Sequence, residues 1–115
     1  MSVFDNNIKQ VVIELDSITN KIIDTLSNPE AKLESVDGLY SSRESFIKKI
    51  DSYIADESNK KLILENEKEW KSMMEPLRVK DENALSLLKS KVKHMEDELK
   101  NREKQKNVLL YKENK

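Results

Sequence analysis

The chain has 115 residues, 37% of them apolar and 37% charged, with one glycine, two prolines and no cysteine. That length supports one domain, residues 1–115, with a single small core, and a composition so poor in Gly and Pro belongs to long amphipathic helices rather than sheets. Twenty-one Lys and Arg against 22 Asp and Glu leave a net charge of −1, which offers no general attraction for nucleic acid or a membrane surface, and without cysteine there is no disulfide, thiol nucleophile or zinc-thiolate site.

From about Val3 to Leu26, Phe4, Ile8, Val11, Val12, Leu15, Ile18, Ile22 and Leu26 recur at steps of three and four, the mark of a helix with one apolar face. Ile13 and Ile23 widen that stripe, so the helix is expected to meet two neighbours. Ser27-Asn28-Pro29-Glu30 then reads as a stop and restart, with Asn28 as a cap and Pro29 at the first position of the next helix. The short connection predicts an antiparallel second helix, whose stripe runs through Leu33, Val36, Leu39, Tyr40, Phe46, Ile47, Ile50, Tyr53 and Ile54. Gly38 lies inside it, and close packing against a neighbouring helix is the commonest reason for such a glycine. Arg43 interrupts the stripe. Either its stem packs while the guanidinium reaches water or a carboxylate, or it forms a buried ion pair with Asp81.

A second break falls at Ala55 to Asn59, where Asp56, Ser58 and Asn59 are candidate caps for a third helix beginning near Lys60. Its seam holds Trp70, Met74, Leu77, Ala84, Leu88, Met95, Leu99 and Leu109, with Leu85 and Val92 beside it. Pro76 predicts a kink or a break. Trp70, Leu77 and Ala84 share one heptad position, and Met74, Asp81, Leu88 and Met95 share another, so register is kept across the proline. That favours an all-α fold in which an antiparallel three-helix bundle carries a long third helix kinked near Pro76. The alternative is a four-helix up-down bundle with a turn at 79–81. A continuous helix from Lys60 to Leu110 would span roughly 75 Å, about twice the reach of the first two. Its far half must then face another chain, a client or solvent.

Residues able to carry chemistry are sparse. His94 and Glu98, one turn apart, are two candidate metal ligands without a third, and a solvent-facing helical histidine explains them as well. Glu65, Glu67 and Glu69 point in different directions around a helix. There is no phosphate loop, nucleophile elbow or catalytic set, so neither an enzyme nor a cofactor or metal is expected. The Lys- and Arg-rich segment 89–115 is interleaved with acids, as in a helix laced with ion pairs, and no nucleic-acid partner is expected. The first ten residues lack a signal-peptide pattern, and no apolar run approaches the roughly 20 residues of a bilayer span. A soluble, cytoplasmic protein is the expectation.

The run Asp81-Glu82-Asn83-Ala84-Leu85-Ser86-Leu87-Leu88, the heptads after it, and the basic stretch Arg102 to Lys106 closing on Val108-Leu109-Leu110-Tyr111 resemble the C-terminal region of FliT-like flagellar export chaperones. Leu39 to Tyr53, with Arg43 in its stripe, is similar to that family's second helix. The resemblance implies a small cytoplasmic helical chaperone that keeps a flagellar cap subunit, or another export substrate, soluble and delivers it to the type III export apparatus. The candidate partner-binding residues are Leu88, Val92, Met95, Leu99, Leu109 and Tyr111, offered to an amphipathic client helix. The competing reading is a structural coiled-coil protein, or a plain interaction module, whose seam closes a homodimer.

Overall fold

The computed structural model describes the backbone of residues 2–113 and the side chains of residues 2–104. Among these residues the protein is all-helical: α1 (Asn6–Ser27), a 3-10 turn (Leu33–Val36), α2 (Asp37–Ala55), α3 (Glu57–Glu65) and α4 (Glu67–Glu113). Asp5 caps α1 by accepting the Ile8 amide at 2.9 Å, and Asp56 caps α3 by accepting the Asn59 amide at 3.1 Å. Each side chain satisfies one of the amides that a helix start leaves without a partner.

Two of the expected boundaries differ. No helix starts at Pro29. Asn28 Oδ1 instead accepts the Glu30 amide at 3.0 Å, its carbonyl accepts the Ala31 amide at 3.1 Å, and the chain turns there before reaching the 3-10 turn. The physical reason is burial: Val36 is 3% exposed and, with Leu33, packs against Ile22, Leu26 and Ala84, so the chain must cross the end of α1 before turning back. The expected third helix is split at Asn66, whose φ of −129° and ψ of 42° leave the helical region. The Asn66 side chain donates to the Leu62 carbonyl at 3.0 Å, while its carbonyl accepts the Trp70 amide, so one residue ends α3 and opens α4.

No break occurs where the alternative fold required one. Val79, Lys80 and Asp81 are helical, and α4 runs unbroken through Pro76 for 47 residues, about 70 Å. Proline deprives the Ser72 carbonyl of its usual donor, but Ser72 and Pro76 are both exposed, so the carbonyl is open to solvent rather than buried without a partner. Leu77 on the opposite face is buried and holds the helix against the core. Gly38 corrects another expectation. A Cβ there would meet nothing within 4 Å, so close packing does not account for the glycine.

The helix directions follow from three links between α1 and α4. Phe4 meets Trp70 with ring centroids 5.3 Å apart, Asp16 pairs with Lys80 at 2.7 Å, and the Asn28 carbonyl accepts from Lys91 Nζ at 3.1 Å. Numbers rise together, so α1 and α4 are parallel, while α2 runs back along α1 in the opposite sense. α1 packs against both, as its widened stripe predicts, although Ile13 itself stays 60% exposed. Phe4, Ile8, Leu15, Ile50 and Leu77 form one part of the core, and Ile22, Leu26, Val36 and Ala84 the other. Between them Thr19 is buried and donates to the Leu15 carbonyl at 2.8 Å, so its hydroxyl is not left without a partner.

Tyr53 stacks on Trp70, with ring centroids 5.9 Å apart and planes 11° from parallel, closing one end of the molecule. Burial pushes the Tyr53 phenol above its ordinary pKa, and the negative charges of Asp5 and Asp56 add to the rise. The whole is a rod of 77 × 21 × 20 Å. α4 accounts for most of its length.

Candidate protein-docking surface

α2 and α4 both lie on α1, and where Tyr40 and Arg43 face Leu85 and Leu88 they stand apart from one another, leaving a groove of about 330 Å³. Thr19 and Ile22 of α1 form its floor, Tyr40 and Arg43 one wall, Leu85 and Leu88 the other. Arg43 spans it. Nε donates to Asp81 Oδ1 at 3.2 Å and one terminal guanidinium nitrogen to Oδ2 at 2.7 Å, a two-point bridge whose side chains retain 22% and 35% of their exposure. The sharper reading of Arg43 therefore gives the right partner, but the pair is half-buried. Water reaches it because α2 and α4 do not close on each other.

Above the groove, Arg78 donates to Glu75 and, at 2.6 Å, to Glu82 along the exposed face of α4. The hydrogen bond from Arg78 holds the Glu75 carboxyl below its ordinary range. Glu67 is lowered in the same way by its hydrogen bond to Lys71. These pairs lie along the helix surface and are screened by water.

Below the groove α2 has already begun, so nothing from it covers the continuation of the same α4 face. Leu85, Val92, Met95 and Leu99 are 49%, 37%, 43% and 57% exposed. Leu88 differs from its companions: it is half-buried against the core around Ile22 and Ala84, and serves as groove wall rather than free seam. Met95 also borders a second hollow, of about 430 Å³, between α4 and the crossing segment Pro29–Glu34. Leu109 and Tyr111 lie outside the residues whose side chains are described. Of the six candidate binding residues, then, Val92, Met95 and Leu99 share one exposed strip and Leu88 joins it to the groove.

Sequence reasoning missed the groove itself. Its only visible sign is Arg43, a charge inside an apolar stripe, because a wall that stops short of its neighbour leaves no mark on the periodicity of either helix. It also missed a shallower hollow on the other side of α4, where Val12, Ile13, Met73 and Pro76 meet.

His94 Nε2 lies 3.1 Å from Glu98 Oε1 on the exposed side of α4, and no group of three or more His, Cys, Asp or Glu is gathered for a metal among the described residues. No described helix is long and apolar enough to cross a membrane. What the surface offers chemically is apolar area at helical spacing, flanked by lysines and glutamates. No protein-family model matches the chain, and neither a curated protein nor a solved structure shows significant similarity to it.

Proposed function

We propose that the protein is a cytoplasmic export chaperone or adaptor, built as a three-helix bundle in which α3 and α4 together form a long third helix. It binds an amphipathic helix of a flagellar secretion substrate, such as a cap subunit, along Leu88, Val92, Met95 and Leu99, extending toward Leu109 and Tyr111, and passes it to the export apparatus. The observation that carries this reading is the strip Leu85, Val92, Met95 and Leu99, apolar, exposed and in line with an open groove. A client helix laid there would supply the missing wall between α2 and α4 and cover side chains otherwise left in water. Met95 suits such a site because its unbranched thioether adapts to varied partners. The resemblance of segments 39–53 and 81–111 to FliT-like chaperones supplies the class of client.

The test is affinity purification of the tagged chain from flagellated cells, followed by identification of what is retained. The native chain should retain an export substrate, and the Val92→Asp/Leu99→Asp chain should not. Recovery of no export substrate or export component overturns the proposal.

A further inference from the structure

Lys80 and Asp81 are adjacent on α4 and tie it to two different helices. Lys80 reaches Asp16 of α1 at 2.7 Å, beside the shallow hollow of Val12, Ile13 and Pro76, while Asp81 takes the two-point bridge from Arg43 of α2 across the open groove. Successive residues of a helix stand about 100° apart around its axis, so the two ties leave α4 on different sides. Leu77 and Ala84, buried residues on which α4 rests, fall between them around that axis. Ala84 offers the core a single methyl, which resists rolling weakly. Lys91 adds a third tie on the α1 side through the Asn28 carbonyl, and among the described residues Arg43 and Asp81 form the one ion pair that joins α4 to α2.

We propose that Lys80 and Asp81 are positioning residues that fix the roll of α4 and so aim its exposed apolar strip. Counting about 100° per residue from Asp81, Leu85 and Val92 fall about 40° and 20° to one side, Leu88 and Met95 about 20° and 40° to the other, and Leu99 in line with it. The strip therefore points where Asp81 points. Whatever direction the Arg43 bridge gives Asp81 is inherited by side chains up to about 27 Å further along the helix.

The order of the charges admits one azimuth. Rolling α4 by one position toward α1 would set Asp81 against Asp16, and rolling it the other way would set Lys80 against Arg43, and both pairs repel. One tie alone would leave the helix free to pivot about it. Half-exposed ion pairs add little to stability, but they choose between arrangements that apolar contacts leave nearly equal. The fixing of the roll stands without the chaperone reading. Its consequence for docking rests on that reading, because a partner helix then meets the groove over Thr19 and Ile22 and the strip beyond it along one line.

Distances between spin labels test the proposal in the full chain, which has no native cysteine to interfere. One label is attached through Ser42→Cys on α2, and a second through either Lys93→Cys or Glu98→Cys, exposed positions on opposite flanks of the strip. With native Lys80 and Asp81 both distance distributions should be narrow. In the Lys80→Asp/Asp81→Lys chain both ties become repulsive, and the two distances should shift in opposite directions, as a roll requires and a bend does not. The Lys80→Ala/Asp81→Ala chain, which loses the ties without gaining repulsion, should broaden both distributions at least about twofold, since a roll of about 20° carries a side-chain tip roughly 2 Å on a helix about 5–6 Å in radius. Adding Asp16→Lys and Arg43→Asp to the exchanged chain should restore both native distances, and Lys80→Arg/Asp81→Glu should keep them. Native distances in the exchanged and alanine chains, shifts of one sign at both labels, or a four-substitution chain that fails to recover would each overturn the proposal. So would a lower urea midpoint with unchanged distances, the mark of ties that only stabilise. An export substrate retained by the native chain should be lost from the exchanged chain and regained by the four-substitution chain. If the distances respond as expected but the native chain retains no export substrate, the chaperone reading falls and the fixed roll stands.

Discussion

Replacing Arg43 with Leu, Asp81 with Leu, and both together separates the contribution of the bridge from that of the groove it spans. In the native chain, hydrogen bonds of 3.2 and 2.7 Å join guanidinium to carboxylate, in side chains that keep 22% and 35% of their exposure. Opposite charges about 4 Å apart attract by about 1 kcal/mol in a water-like medium and about 4 kcal/mol at an effective dielectric of 20. A half-buried pair falls between these limits, and ordering the arginine side chain costs up to about 2 kcal/mol, so a net coupling of about 1 kcal/mol is expected. Either single leucine leaves a charge facing an apolar groove and should cost about 1–2 kcal/mol. The double leucine chain should lie within about 0.5 kcal/mol of the native one, because it lines the groove over Thr19 and Ile22 with apolar side chains. Urea denaturation of the four chains at low and high salt measures the cycle, with coupling expected to shrink at high salt. Two single variants indistinguishable from the native chain, or a double variant costing the sum of the singles, would refute the view that this bridge governs how α2 meets α4.

Ile22→Ala removes a side chain with 0% exposure from between α1, the crossing segment and α4, and should cost about 2–5 kcal/mol in the same denaturation assay. Leu99→Ala, at 57% exposure, should stay within about 0.5 kcal/mol when measured at low protein concentration. Pro76→Ala restores a helical amide on the solvent face of α4 and should raise stability by about 1–3 kcal/mol, seen as a higher midpoint; a lower one would mean that the proline ring stabilises the hollow it lines with Val12 and Met73. Gly38→Ala, with open space around the new methyl, should stabilise by about 0.5 kcal/mol. For Tyr53 the folded pKa is raised above the unfolded value, so its contribution is fully present below about pH 10 and is lost as pH climbs through the folded pKa. Spectroscopic alkaline titration should show a late phenolate that is absent from the Tyr53→Phe chain, and that chain should lose less stability on going to high pH.

The helical class, the buried face of α1 and the continuity of α4 were legible in the sequence. Ile8, Leu15, Ile22 and Leu26 share one helical face, and the heptads of Trp70, Leu77 and Ala84 carry register across Pro76, because side-chain direction depends only on the local geometry of the backbone. The boundary at Asn66 was not legible. An asparagine that caps one helix and opens the next differs from any surface asparagine only in what its backbone and amide bond to. Nor was the chain path from Pro29 to Val36, where good local signals for a helix start lost to the burial of Leu33 and Val36.

The candidate surface divides along the same line. Periodicity alone determined that Leu88, Val92, Met95 and Leu99 lie on one side of a long helix. Only the tertiary structure decided which of them are covered: α1 and the crossing segment meet α4 around Leu88 and Lys91, the start of α2 stands off from α4, and so Leu88 is half-buried while Val92, Met95 and Leu99 are exposed. Spacing along a helix reports which residues face the same way. Whether that face meets protein or water depends on the lengths and placement of the other helices, and these were set by the packing of a core to which the strip itself does not belong.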